Sequence, residues 1–307
     1  MDPQLVLVQG LNGVQLGVML FLMAAGLTLV FGIMNLVNLA HGSLYMVGAY
    51  LAAAFQEWTG SFLLAVLLAL PATALVGIVV EVLVLRALYR RDHLDQVLAT
   101  FGMILFFNEI VRIVWGKTSR YMALPAALEG QVEILRGVGY PTYRLAIIAV
   151  GIAVAVFLYV LISHTRVGML IRAGASNRTM VGALGVNIAL LYTLVFGLGA
   201  ALAGLAGLMA GPTLAIESGM GDPILILTFV VIVIGGIGSV RGAFVAALVV
   251  GLADTMGRAL LPSLLRTMVG PQAANQAGPA LASMLIYVLM AAVLAFRPEG
   301  LFPARTG

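Results

Sequence analysis

From Pro3 to Gln56 the chain carries no Asp, Glu, Lys or Arg. One bilayer crossing needs about 20 apolar residues, so this run suits two. The same rhythm of long apolar stretches broken by short polar ones continues to the end of the sequence. It predicts hydrophobic segments over residues 10–32, 34–55, 61–85, 95–115, 144–163, 188–211, 224–234, 243–261 and 280–296. The expected fold is an all-α polytopic membrane protein, a single transmembrane domain over residues 1–307. Nine crossings leave the two termini on opposite sides. Eight remain if residues 223–242 enter and leave on one side, because the short apolar run there ends in Gly235, Gly236 and Gly238, a pattern of discontinuous helices. A tight turn between two short spans fits the same residues.

Within the second segment, residues 35–50 read NLVNLAHGSLYMVGAY. Read as a helix, Asn35, Asn38, His41 and Tyr45 share an arc of roughly 120°, with Ser43 close by. Polar groups in lipid must face protein or water. One apolar helix with a single polar, small-residue face is suited to lining a membrane path. Hydrogen bonding between packed helices is the alternative use of the same groups. In the segment over 188–211, Gly197, Gly204, Gly207 and Gly211 lie among alanines at spacings that let helices touch backbone to backbone. Gly235, Gly236 and Gly238 are assigned to packing as well.

Only then does composition add anything. The 307 residues are 62% hydrophobic and 9% charged, far below the roughly 25% charge of soluble domains. The formal net charge of +4 is concentrated in Arg-rich connections and not in a basic, aromatic patch, which excludes a nucleic-acid partner. Arg86, Arg90, Arg91, Arg166, Arg172, Arg178, Arg241, Arg297 and Arg305 all fall in connections assigned to one side. The positive-inside bias makes that side cytoplasmic and places the C-terminus there. Glu109 and Arg112, three apart, can pair on one helix face. The N-terminus lacks the basic region of a cleaved signal peptide, so the first hydrophobic segment is expected to be kept. Zero cysteines exclude disulfides and thiolate metal sites. No phosphate-binding GxxxxGK[ST] loop, HExxH or GxSxG pattern occurs, so neither a metal site nor a catalytic residue is assigned. Membrane-buried acids are few, which argues for energy supplied from outside the chain.

The segment over 164–187, HTRVGMLIRAGASNRTMVGALGVN, is too basic to cross. Met169, Arg172, Ala173, Ser176 and Met180 fall at helical spacing, so a short helix at the membrane surface or on a partner is expected.

Four stretches together resemble the permeases of bacterial branched-chain amino acid ABC importers, in particular the H-type subunit of the leucine-isoleucine-valine family. They are NLVNLAHGSLYMVGAY, TRVGMLIRAGASNRTMVGALGVN with YTLVFGLGAALAGLAG, GGIGSVRGAFVAALVVGL and the ending FRPEGLFP. They run from about residue 26 to the end. The resemblance implies half of an import path in a bacterial inner membrane. It implies a paralogous permease partner, two ABC ATPase subunits that hold the ATP and magnesium, and a periplasmic substrate-binding protein. This chain itself would hold no cofactor. It also implies that Arg166, Arg172, Ala173, Asn177, Met180, Leu184 and Gly185 couple the permease to its ATPase. Ser176 and Asn177 stand where relatives often carry acids. Permeases for urea and short-chain amides look similar, and an ion-coupled secondary carrier is the alternative from another class.

Overall fold

The computed structural model describes residues 3–135 and 137–302 and is built almost wholly of helices. They are α1 (Pro3–Met34), α2 (His41–Thr59), α3 (Phe62–Val80), α4 (His93–Trp115), α5 (Thr142–His164), α6 (Arg166–Ala183), α7 (Ile188–Ala210), α8 (Gly221–Gly235), α9 (Val240–Val269) and α10 (Pro271–Phe296). After α3 the chain passes through a π-helical turn, Glu81–Leu85, and one more helical turn, Arg86–Leu88. Seven helices among the described residues are long and apolar enough to cross a membrane, and α8 is a shorter apolar one. The all-α polytopic class is therefore observed. Arg305 and the residues after Phe302 lie outside the described part.

Helices α1, α2 and α7 form the centre. α1 packs on α9, α7, α5 and α8, and α2 packs on α7, α3 and α8. Most of α1 and α7 is buried, whereas α3, α4, α5 and α10 leave most of their apolar surface exposed, as lipid-facing helices do. Small residues bring the central backbones together. A methyl group added at Gly26 would stand 2.7 Å from the Gly199 carbonyl oxygen, and Gly48 rests directly on Gly204. Gly204 meets Thr73, Gly197 meets Ile78, Gly207 meets the Tyr45 carbonyl, and Gly211 meets the Met122 sulfur.

The two ends of the bundle differ. At one end, residues 116–141 form a loop with a hairpin of β1 (Gln131–Leu135) and β2 (Val138–Pro141). Tyr140 and Arg144 both donate to the Asn12 side chain, which pins the hairpin to α1. Arg120 pairs with Glu57 at 2.9 Å and bridges backbone to Ile216. The opposite end gathers Arg86, Arg90, Arg91, Arg166, Arg172, Arg178, Arg241 and Arg297. There the fully buried Glu81 carboxylate accepts from Arg86 (3.1 Å), Tyr89 (2.6 Å) and Thr193 (2.7 Å), tying α3 to α7. Burial, then the bond to Glu81, pushes the Tyr89 phenol far above its ordinary range.

Three expectations are corrected. The second segment is not a helix from residue 34: the chain is unwound over 35–40, and Asn35 takes a left-handed φ of 52°, which Asn tolerates better than most residues. Residues 262–279, expected to be a polar connection, are helical on both sides of a break at Gly270, whose φ is 82°. The surface helix over 164–187 is two pieces joined at Asn177, whose backbone leaves the helical region and whose Oδ1 accepts the Met180 N–H, capping the second piece.

The glycine cluster at 235–238 ends α8, and the C-terminal tail closes it. Leu301 and Phe302 donate to the carbonyls of Ile234 and Gly235. Gly236 has φ 99°, and a methyl there would meet the Phe302 and Glu299 carbonyl oxygens at 2.8 and 3.0 Å. Gly60 has φ 65° with open space around it. Gly60→Ala should therefore cost only the left-handed strain of about 1 kcal/mol, and Gly236→Ala clearly more. Thermal melts of the detergent-solubilised protein check this; equal losses would contradict it.

Candidate functional site

The break after α1 turns the chain back on itself. His41, the first residue of α2, places its Nε2 3.2 Å from the Met23 carbonyl oxygen. Met23 lies eleven residues before the end of α1, about 16 Å back along its axis. The unwound strand therefore climbs beside α1, and α2 starts near the middle of the bundle. Helix α8 starts at a similar depth from the other direction. The chain dips inward after α7, where Ser218 donates to the Asn108 carbonyl, seven residues and about 10 Å from the end of α4. The first turns of α2 and α8 then touch: a methyl at Gly42 would stand 2.7 Å from the Gly221 carbonyl oxygen.

Around this junction the sequence-predicted path residues separate into two sets. Asn38, His41, Ser43 and Tyr45 are at most 3% exposed. Asn35 is exposed and borders a cavity at the basic end. The shared helical arc expected for these residues does not form, because Asn35 and Asn38 precede α2. Asn38 uses its Oδ1 to accept the Ala40 N–H, a local turn that competes with helix.

What remains is a set of buried polar atoms without partners among the described residues: Asn38 Nδ2, His41 Nδ1, Ser43 Oγ, the Tyr45 hydroxyl and Thr28 Oγ1. An unmet buried polar group costs about 1–3 kcal/mol. Several in one region of a bundle are a standing cost, relieved when water or a polar solute enters. Thr28 was missed by the sequence reading. It sits in the uncharged first helix, and only the fold brings it beside the break. The N-terminus of α2 adds partial positive charge, whereas the first turn of α8 carries the half-buried Asp222. The arrangement suits hydrogen bonding to a polar solute. Among the described residues no group of His, Asp and Glu could hold a metal ion.

At the basic end, α6 presents the residues expected to couple. Arg166, Arg172, Asn177, Met180, Leu184 and Gly185 are exposed, and Ala173 is half-buried. Its inward side is anchored: Gly174 lies 3.2 Å from Leu191 and 3.8 Å from Ile33 for an added methyl. Tyr192 donates to the Ile33 carbonyl. The helix is thereby tied to α1 just before the unwound strand. Of the packing set, Gly235 rests against Gly242, and Gly238 lies over Gly32. Glu109 and Arg112 form the expected pair at 2.7 Å, on the surface.

Residues 10–294 match the family model described as branched-chain amino acid transport system / permease component. The chain is 30% identical to the high-affinity branched-chain amino acid transport system permease protein BraD of Pseudomonas aeruginosa, over 95% of this chain and 94% of that protein. It is 30% identical to the permease protein LivH of Escherichia coli, over 85% and 89% of the two chains. A probable permease LivH of Methanocaldococcus jannaschii is 27% identical over 78% and 76%. No solved structure matches the chain.

The orphaned hydroxyls give a stability test. Tyr45→Phe and Ser43→Ala remove unpartnered polar atoms, so each should leave stability unchanged or raise it by about 1 kcal/mol. Thermal melts decide; a loss of more than about 1 kcal/mol would mean the hydroxyl is bonded in the resting protein.

Proposed function

From the premise that this chain belongs to the permease-component family of branched-chain amino acid transport systems, we propose that it is one half of the membrane path of an ATP-driven importer for branched-chain amino acids. The permease role follows from the family. The substrate follows from the names of its relatives, and the remaining assembly is inferred: a paralogous permease, two ATPase subunits carrying ATP and magnesium, and a periplasmic binding protein. The concentration of arginines at the α6 end supports a cytoplasmic assignment for that end and for the C-terminus, in a bacterial inner membrane.

The observation that carries the reading is the meeting of α2 and α8 N-termini at mid-bundle, beside buried polar atoms that have no partner among the described residues. Broken helices that end at such a level are how membrane transporters present donors to the carboxylate of a substrate. The resting conformation is closed there, so passage requires the bundle to open. Helix α6 is placed to drive the opening. Its exposed Met169, Met180 and Leu184 offer an apolar docking face, and its buried side grips α1 and α7 next to the unwound strand. Docking to an ATPase that moves on binding nucleotide would bias the bundle between closed and open states. Among the described residues the two buried carboxylates, Glu81 and Asp254, are each paired with an arginine, which supports energy from partner subunits over an ion-coupled carrier.

The test is ATP-dependent leucine uptake by the assembled complex in proteoliposomes, with urea as competitor. Uptake should need ATP and resist excess urea; uptake without ATP, or its abolition by urea, would contradict the reading. Asn38→Ala combined with His41→Ala should cut uptake at least about tenfold, the equivalent of 1.4 kcal/mol, with subunit assembly unchanged. Met180→Pro, which removes the N–H that Asn177 caps and so loosens the joint between the two pieces of α6, should leave the complex assembled but disconnect substrate-stimulated ATP hydrolysis. Normal uptake in the first variant would remove the path assignment, and normal stimulation in the second would remove the coupling assignment.

A further inference from the structure

A cavity of about 1110 Å³ opens between α5 and α9 at the basic end. It is larger than the roughly 300–1,000 Å³ of ordinary small-molecule pockets. Both helices pack on α1, whose Leu29 and Gly32 form its floor, and they stand apart above it. Its floor is apolar apart from Thr28, and Phe21 meets Phe244 edge to face in its wall, ring centres 5.0 Å apart. Its rim faces sideways, because Ile152, Val156 and Val245, which line it, are exposed on the lipid-facing surface.

The end of the crevice nearest the basic surface is different chemistry. Arg172 and Arg178 of α6 and Arg241 of α9 line it, and among the described residues no acidic one does. Among the described residues the ion pairs are made by Arg86, Arg112, Arg120 and Arg258; Arg172, Arg178 and Arg241 make none. Arg241 instead lies over the Tyr159 ring, 5.5 Å from its centre, so it is held across the mouth from α9 to α5. Ser163 and Ser176 add hydroxyls at the same level. A sideways apolar slot that ends in three guanidinium groups with no ion pair among the described residues matches one kind of molecule. Acyl chains fill such a slot, and basic pockets between helices on the cytoplasmic side bind anionic headgroups. Guanidinium groups also suit phosphate oxygens geometrically.

We propose that the crevice between α5 and α9 is a binding site for an anionic phospholipid, its phosphate on Arg172, Arg178 and Arg241 and an acyl chain along Ile152, Val156 and Val245. The lipid would hold α6 against the bundle, linking membrane composition to the element that contacts partners. The lipid site goes beyond the importer reading and does not depend on it, since the test reads bound lipid and not uptake; only its link to partner contacts rests on that reading.

The experiment is native mass spectrometry of the tagged full chain, purified in mild detergent with whatever subunits accompany it. The protein is equilibrated with mixed micelles of phosphatidylglycerol and phosphatidylethanolamine. Retained lipid should be enriched at least about tenfold in phosphatidylglycerol, since each of three basic groups adds preference for the anionic headgroup. Arg172→Gln, Arg178→Gln and Arg241→Gln together should abolish the enrichment. Ala155→Trp, which fills the slot and leaves every charge in place, should abolish retention too, and it serves if the triple variant is unstable. Equal retention of both lipids, or enrichment that survives in both variants, overturns the proposal. So does bound inorganic phosphate with no retained lipid, which would assign the arginines to a free anion. A second subunit seated in the crevice, with no lipid retained, likewise overturns it.

Discussion

Backbone in a bilayer can leave a helix only where protein or water covers it, because each unmet N–H or carbonyl costs several kcal/mol in lipid. Two breaks in this chain obey that constraint together. The strand over 35–40 runs back along α1, where His41 meets the Met23 carbonyl, the entry into α8 is held to α4 by Ser218 on the Asn108 carbonyl, and their helices begin where the two backbones touch at Gly42 and Gly221. Everything else in the centre follows from making that enclosure possible. Gly26 against Gly199, Gly48 against Gly204 and Gly207 against Tyr45 bring α1, α2 and α7 close enough to seal the breaks. Larger side chains at these positions would separate the helices and admit lipid or water. The packing that holds the fold is thus also what keeps polar residues in its middle.

The enclosure is incomplete chemically. The backbone turns are satisfied locally, by Asn38 on the Ala40 N–H and by the Ser43 N–H on the Ala40 carbonyl, but the side chains of His41, Ser43 and Tyr45 keep unmet atoms. A protein that only had to be stable would replace them with apolar groups of like shape at little cost. Their presence, beside two helix N-termini, fits a resting state that is meant to be entered. The long-range ties lie at the other end: α6 grips Ile33 through Gly174, and Tyr192 bonds the Ile33 carbonyl, one residue before α1 ends and the break begins. Movement of α6 therefore has a short mechanical route to the strand that carries Asn35 and Asn38.

Much of this was legible in the sequence. Apolar run length gave the membrane class, and the arginine-bearing connections marked one end. The family resemblance rested on stretches that occupy the break, the surface helix, the α8–α9 turn and the tail. The break itself was misplaced. Periodicity carries no signal for a left-handed Asn35 or for Asn38 capping Ala40, so residues 34–55 read as one helix. The glycines at 235–238 did mark a real interruption, while its other end, at Gly221 in mid-bundle, had no local signal, because depth is set by tertiary packing. Residues 262–279 read as a loop because polar and proline residues dominate there, although a helix accepts both at its ends. Thr28, lone and polar in an apolar helix, was passed over for want of a neighbour in sequence; its neighbours come from the fold.

The absence of cysteine allows the central claim to be tested directly. Ser43→Cys places one thiol, close to the native side chain in size, at the meeting point of α2 and α8. The complex would be treated in proteoliposomes with a small, charged methanethiosulfonate reagent, first at rest and then during ATP-driven uptake. The account predicts no modification at rest, where the atom is buried, and rapid modification during turnover that blocks further transport. A thiol that stays unmodified while transport proceeds would show that the path does not pass this junction.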